Sequence, residues 1–178
     1  MFTGNRLCVL AVVGSLVAIG CSDERVVSPN DGGISPPLLA KGAVVQSVTG
    51  SGHFTVGGAL RTFAFTARRH TDGSVSGEYQ GVRHDLGVAW HGNITCFTII
   101  GTQAWLGGIA ESSGGVVIPG TEASWRVVDN GEGQNAPPDQ ITLQGVNLPP
   151  GAAAAYCAAT PAGGVLASVE DGNIQVRP

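Results

Sequence analysis

Three carboxylates, Asp129, Glu132 and Asp139, fall within eleven residues of the stretch RVVDNGEGQNAPPDQITL, a segment crowded with Gly, Asn and Pro. Carboxylates supplemented by loop carbonyls could supply the roughly six to eight oxygens that calcium takes. The spacing is not that of an EF-hand. That motif needs oxygen-bearing side chains at its first, third and fifth positions, and the third and fifth from Asp129 are Gly131 and Gly133. The competing reading is structural. Asp129-Asn130-Gly131 opens a turn, Asp139 orders the returning strand by accepting backbone N–H groups, and Pro137-Pro138 stiffens the connection. The structural reading is preferred, no cofactor is expected, and calcium is carried as the alternative.

His84-Asp85 and His91 form the second group, seven residues apart around Leu86 to Trp90. An imidazole oriented by a carboxylate is the raw material of general-base catalysis. Adjacent strand residues point to opposite faces, so Asp85 orients His84 only if the pair sits in a turn. His84 and His91, an odd number apart, face opposite sides of any one regular strand. These three residues are the catalytic candidates of an enzyme reading, a hydrolase or isomerase with its site inside a barrel. His53 and His70 add no close-set ligand spacing for zinc. No G-x-S-x-G elbow, H-E-x-x-H pair or P-loop occurs. Trp90, Trp105 and Trp125 read as core or barrel-wall residues, with a platform for a sugar ring or flat lipophile as the alternative.

The elements that must position these residues follow from composition and period. The 178 residues are 43% hydrophobic but only 12% charged, with 28 Gly and 10 Pro. That balance suits short strands joined by tight turns better than helices with Lys and Glu faces. Strands are expected over Val44–Thr55 (one or two), Thr62–Arg68, Ser74–Gln80, Asn93–Ile100, Gln103–Ala110, Ser124–Val128, Gln140–Val146 and Asn173–Arg177. Phe63, Phe65 and Ala67 share one face, as do Val75, Gly77 and Tyr79. Asp72-Gly73 and Gly101-Thr102 are the hairpin turns, because Gly tolerates the positive φ that type I′ turns require. In Asn93–Ile100 the period places Ile94, Cys96, Thr98 and Ile100 on one face and Phe97 and Ile99 on the other, so this strand is central. Gly151–Thr160 is too short a run to hold itself as a helix and is expected as a loop or single turn pinned by Cys157. The fold class is all-β: a single antiparallel barrel of eight or nine strands, with a two-sheet sandwich as the alternative.

The first twenty residues carry a different message. Arg6 ends a short segment without acidic residues, and Leu7 to Ile19 is an almost unbroken apolar run, too short to cross roughly 30 Å of hydrocarbon. This is an export signal. Val17-Ala18-Ile19-Gly20-Cys21 resembles the lipobox of bacterial lipoproteins, with Ala18 where Leu is usual. The resemblance implies cleavage before Cys21, lipidation of Cys21 by diacylglycerol and a palmitate-type acyl chain, and a membrane partner reached through that anchor. In two-membrane bacteria Ser22 favours the outer membrane. Ordinary cleavage, releasing a soluble secreted protein, is the alternative. Residues 1–20 are thus the signal, 21–43 a Ser-, Gly- and Pro-containing tether, and 44–178 the β-domain.

With Cys8 removed and Cys21 lipidated, Cys96 and Cys157 remain, and in an oxidising compartment their default is a disulfide; two separate buried thiols are the alternative. The net charge of -4, and a basic cluster no larger than Arg68-Arg69-His70, exclude nucleic acid as a partner. Finally, Gly92-Asn93-Ile94-Thr95-Cys96, Gly101 with Ala104 and Leu106-Gly107-Gly108, Trp125-Arg126-Val127-Val128-Asp129-Asn130-Gly131-Glu132-Gly133 with Pro137-Pro138-Asp139, and Gly172-Asn173-Ile174 with Val176 together resemble a group of exported bacterial β-proteins. The resemblance spans roughly Gly50 to the C-terminus. It implies a secreted all-β domain with one cysteine pair, and no activity. The expected function is therefore a lipid-anchored binding or structural protein of the cell envelope, its partner a small molecule or an envelope component.

Overall fold

Gly57-Gly58 and Gly101-Thr102 set the hairpin pattern from which the fold grows. Each joins two long strands through two residues, with φ of 60° and 77° in the first and 60° at Gly101. The first joins β1 (Val44–Val56) to β2 (Ala59–His70), and the second joins β4 (Val88–Ile100) to β5 (Gln103–Ser113). A computed structural model describes residues 42–178, residue 134 excepted, and the side chains of Ser112 and Ser113 are also left aside. The expected export signal, Cys21 and the expected tether up to residue 41 lie outside the described residues.

The remaining strands are β3 (Val75–Arg83), β6 (Glu122–Val128), β7 (Gln140–Thr142), β8 (Gly145–Leu148), β9 (Leu166–Ser168) and β10 (Asp171–Arg177). One antiparallel sheet holds them in the order β10-β1-β2-β3-β4-β5-β6-β7-β9, with β8 on β6 beside β7. The protein is all-β, and its curled sheet makes a half-barrel rather than a two-sheet sandwich. Ten strands stand where eight or nine were expected. β1 is continuous, β9 is additional, and the expected Gln140–Val146 strand is two. That run breaks because Thr142 Oγ1 accepts the Arg126 N–H at 2.9 Å, so a side chain replaces a ladder bond and the chain resumes farther along β6. The Asp72-Gly73 hairpin is present, but four residues connect its strands. Asp72 Oδ1 accepts both the N–H and the hydroxyl of Ser74, which stabilises the longer turn.

Inside the curl lie the residues that the period-two pattern assigns there: Phe63, Phe65, Ala67 and Tyr79, each 4% exposed or less. Aromatic contacts run from Phe54 through Phe63 and Phe65 to Trp125, and Tyr79 meets Trp125 at 5.0 Å between ring centroids. Gly50 and Gly92 let the backbone close on these rings. A Cβ at Gly50 would come 2.7 Å from the Phe65 ring, and one at Gly92 2.7 Å from that of Tyr79.

β4 departs from its expected alternation. A register shift between Ile94 and Cys96 is a β-bulge at Thr95, so Ile94 and Phe97 both turn inward while Cys96 turns to the opposite face. There Cys96 bonds Cys157 in a disulfide, on a helix where a loop or single turn was expected. α1 (Ala152–Ala159) has two turns because contacts outside the segment supply what a short helix lacks. Glu122 accepts the N–H groups of Gly151 and Ala153 at 2.9 and 2.6 Å, capping the N-terminus, and Cys157 fastens the other end. α1 contacts β4, β5 and β6 on the outer face, leaving β6 buried on both sides.

Candidate functional site

The opening carboxylates face backbone donors. Asp139, 6% exposed, accepts Ile174 N–H at 2.6 Å through Oδ2 and Asn130 N–H at 2.8 Å through Oδ1. Asp129 accepts Val176 N–H at 2.9 Å and Gly131 N–H at 2.8 Å. Ile174 and Val176 belong to β10, the strand at one end of the sheet. The two aspartates therefore bond to an edge that has no neighbouring strand. Glu132 takes Gln175 Nε2 at 2.8 Å and Asn173 Nδ2 at 3.1 Å through one oxygen, and these bonds hold its carboxyl below the usual carboxylate range. Among the described residues no group of three His, Cys, Asp or Glu is arranged to hold a metal ion. The carboxylates fasten a seam.

His84 and Asp85 do sit in a turn, the 3-10 segment His84–Leu86, but they do not orient each other. His84 Nε2 bonds Thr62 Oγ1 at 2.8 Å, while Asp85 takes Arg83 at 2.9 and 3.0 Å. Those Arg83 bonds lower the Asp85 carboxyl and raise the guanidinium. His91 lies in β4, opposite Gln80. The middle of the half-barrel has no room for a site, because Phe65, Tyr79, Phe97, Leu106 and Trp125 fill it. Trp125 is fully buried, Trp105 is 5% exposed and donates to Pro161 O at 2.9 Å, and half-buried Trp90 donates to Gln144 at 2.9 Å. These are wall and core positions, as the sequence indicates.

His91 instead joins a groove on the outer face. Paired residues share a face, so register aligns two polar rows across five strands. One row is Gln175, Thr49, Thr66, Glu78 and Asn93; the other is Asn173, Ser51, Ala64, Gln80 and His91. All of them but Asn93 line a groove of about 730 Å³, with Glu111 at one flank and Gly50 and Gly92 in its floor. Asn93 Nδ2 donates to Glu111, and Glu132 holds Asn173 and Gln175 from the other flank. A second groove of about 610 Å³ shares Thr66 and Glu78 with the first and continues to Arg68. Together they make a track whose polar groups are hydroxyls, amides and carboxylates with one imidazole and the Arg68 guanidinium.

Of the candidate site residues read from the sequence, His91 lines this track and Glu132 stands at its flank. The outward residues of each strand were legible as polar, but a row across five strands exists only once register is known. No protein-family model, curated protein or solved structure matches the chain.

Proposed function

We propose that this protein is an exported, lipid-anchored binding protein of the cell envelope, and that the outer polar track of its β-domain holds an extended, hydroxyl-rich ligand such as a glycan strand. The track carries the reading. Its length across two adjoining grooves suits a chain-like ligand, and its side chains can both donate to and accept from hydroxyl groups. Glu78 and Glu111 add acceptors suited to an amino sugar. The lipobox-like Val17-Ala18-Ile19-Gly20-Cys21 supports the anchor. The Cys96–Cys157 disulfide suits an oxidising compartment. Among the described residues no helix is long and apolar enough to cross a membrane, and the attachment in this reading is an acylated Cys21.

Two measurements test this. Cys21→Ala should move the protein from the membrane fraction to the soluble fraction and remove the acyl mass from its mature N-terminus; an unchanged distribution would discard the anchor. Soluble glycan fragments from the host envelope should bind the wild type saturably in calorimetry. Glu78→Ala with Gln80→Ala should weaken them about tenfold or more, the scale of one or two lost hydrogen bonds, without lowering Tm. Equal binding by wild type and the double variant would discard the track as the site.

A further inference from the structure

The two ends of the half-barrel are built differently. At the end where β2 begins and β3 finishes, register sets Phe54, Arg61, Arg83 and Val88 in one row across β1 to β4. This row lies on the same face as buried Phe63 and Tyr79, so two guanidinium groups are cross-strand neighbours on the inner face of the sheet. Like charges placed directly opposite destabilise a sheet unless something compensates them. Arg83 has its compensation in Asp85, at 2.9 and 3.0 Å. Arg61 feels the same Asp85 carboxylate without a hydrogen bond to it, and among the described residues makes one hydrogen bond, from Nη1 to the Ala59 carbonyl at 3.3 Å.

Both arginines border a cavity of about 240 Å³ whose walls are Phe54, Phe63, Val82, Val117, Val146 and the Trp90 ring. No carboxylate lines it. At its rim Val116 and Leu143 are 42% and 44% exposed. The space equals about eight waters, and its walls are mostly apolar, with Thr62 and Gln144 as the uncharged polar groups beside the two arginines. An apolar hollow bordered by a half-buried guanidinium that makes one hydrogen bond within the protein is complementary to a ligand with one negative head and a short apolar body. Arginine's planar fork matches a carboxylate, and the hollow is just below the usual range for small-molecule sites.

We propose that this mouth is a second binding site, separate from the polar track, for a small amphipathic carboxylate whose apolar body lies between Phe54, Phe63 and Val146 and whose carboxylate pairs with Arg61. The mouth differs from the outer track in offering a mostly apolar hollow in place of rows of hydroxyl, amide and carboxylate groups.

Hexanoate and 1-hexanol, of matched length but different charge, are the probes for the full-length chain. The three tryptophan indole N–H signals in a proton–nitrogen correlation spectrum report position, because Trp90 lines the cavity and Trp105 and Trp125 do not. Hexanoate should shift the Trp90 signal saturably, leave the other two in place, and bind about tenfold or more tighter than hexanol, as a charge-assisted hydrogen bond implies. Arg61→Gln removes a like-charge contact and so should keep the fold, while bringing hexanoate down to the level of hexanol. Val146→Phe, which fills the hollow, should abolish both. Absence of a saturable Trp90 shift, equal affinity for acid and alcohol, or unaltered hexanoate binding by Arg61→Gln would each overturn the proposal.

Discussion

Tyr79 occupies the middle of the core, 2% exposed, and its hydroxyl has no hydrogen-bond partner among the described residues. Burial disfavours the phenolate and pushes the group up to about 12 from an ordinary value of 10.0. The folded value is the higher one, so below pH 10 both states hold the proton and stability is fully present. Between pH 10 and about 12 only the unfolded chain releases it, and stability falls by about 3 kcal/mol across that window. Denaturant midpoints measured from pH 8 upward should trace this decline. Tyr79→Phe should flatten it, leaving a smaller slope from Tyr156, whose phenol is also raised by burial. At pH 7 the variant should be as stable as the wild type or more so, by up to about 2 kcal/mol, because it removes an unsatisfied buried hydroxyl. A variant that kept the full alkaline slope would place the titrating group elsewhere. Tyr79's inward position was legible from its period with Val75 and Gly77; its missing partner was not, because that depends on which atoms the neighbouring strands bring near it.

Among the elements, the hairpins were readable and the helix was not, for one physical reason. A hairpin states its turn residues locally, as Gly101-Thr102 does, whereas α1 is held by Glu122 and Cys96, thirty and more residues away in sequence. Its intrinsic helical tendency is insufficient at eight residues. Reduction of the disulfide should therefore act first on α1. Opening a link across 61 residues removes a chain-entropy constraint worth roughly 4 kcal/mol. Far-UV circular dichroism of the reduced protein should lose its helical component before its strand signal, and the denaturation midpoint should drop. Glu122→Ala should reproduce a smaller version, about 1 kcal/mol, through loss of the cap alone. If helix and sheet melted together in the reduced protein, α1 would be an integral part of the cooperative core rather than a pinned cover. The bulge at Thr95 escaped the sequence for the same reason as the helix: no turn residue marks it, and its effect is visible only in Phe97 following Ile94 inward.

For the whole molecule, the central question is how an open curl avoids behaving as an open sheet. β9 and β10 end the strand order without pairing to each other, and an unpaired edge is a template for association with another chain. The loop between β6 and β7 answers this by bringing Asp129 and Asp139 onto the Val176 and Ile174 N–H groups. The chain beyond β9 adds Val169 N–H on Asp139 O at 2.8 Å and Glu170 N–H on His53 O at 2.9 Å. Carboxylates thus stand where a tenth ladder would otherwise close the barrel. The all-β class was readable from composition and alternation, and Asp139 as an acceptor for backbone N–H groups was readable from its place in the turn. That those groups belong to β10, thirty-five residues on, required the fold. Replacing both aspartates by Ala should unlatch the seam. Each lost charge-assisted bond to a backbone N–H costs about 1.5–3 kcal/mol, so hydrogen exchange at Ile174 and Val176 should accelerate well before the amides of β2 and β3 respond. The exposed edge should also make the variant self-associate with rising concentration in light scattering. Millimolar calcium should leave the wild-type Tm unchanged, because the oxygens it would need already accept N–H groups. A calcium-dependent rise in Tm that disappears in Asp129→Ala, or a double variant that stays monomeric with Ile174 and Val176 still protected, would show that the seam is closed by something other than these two side chains.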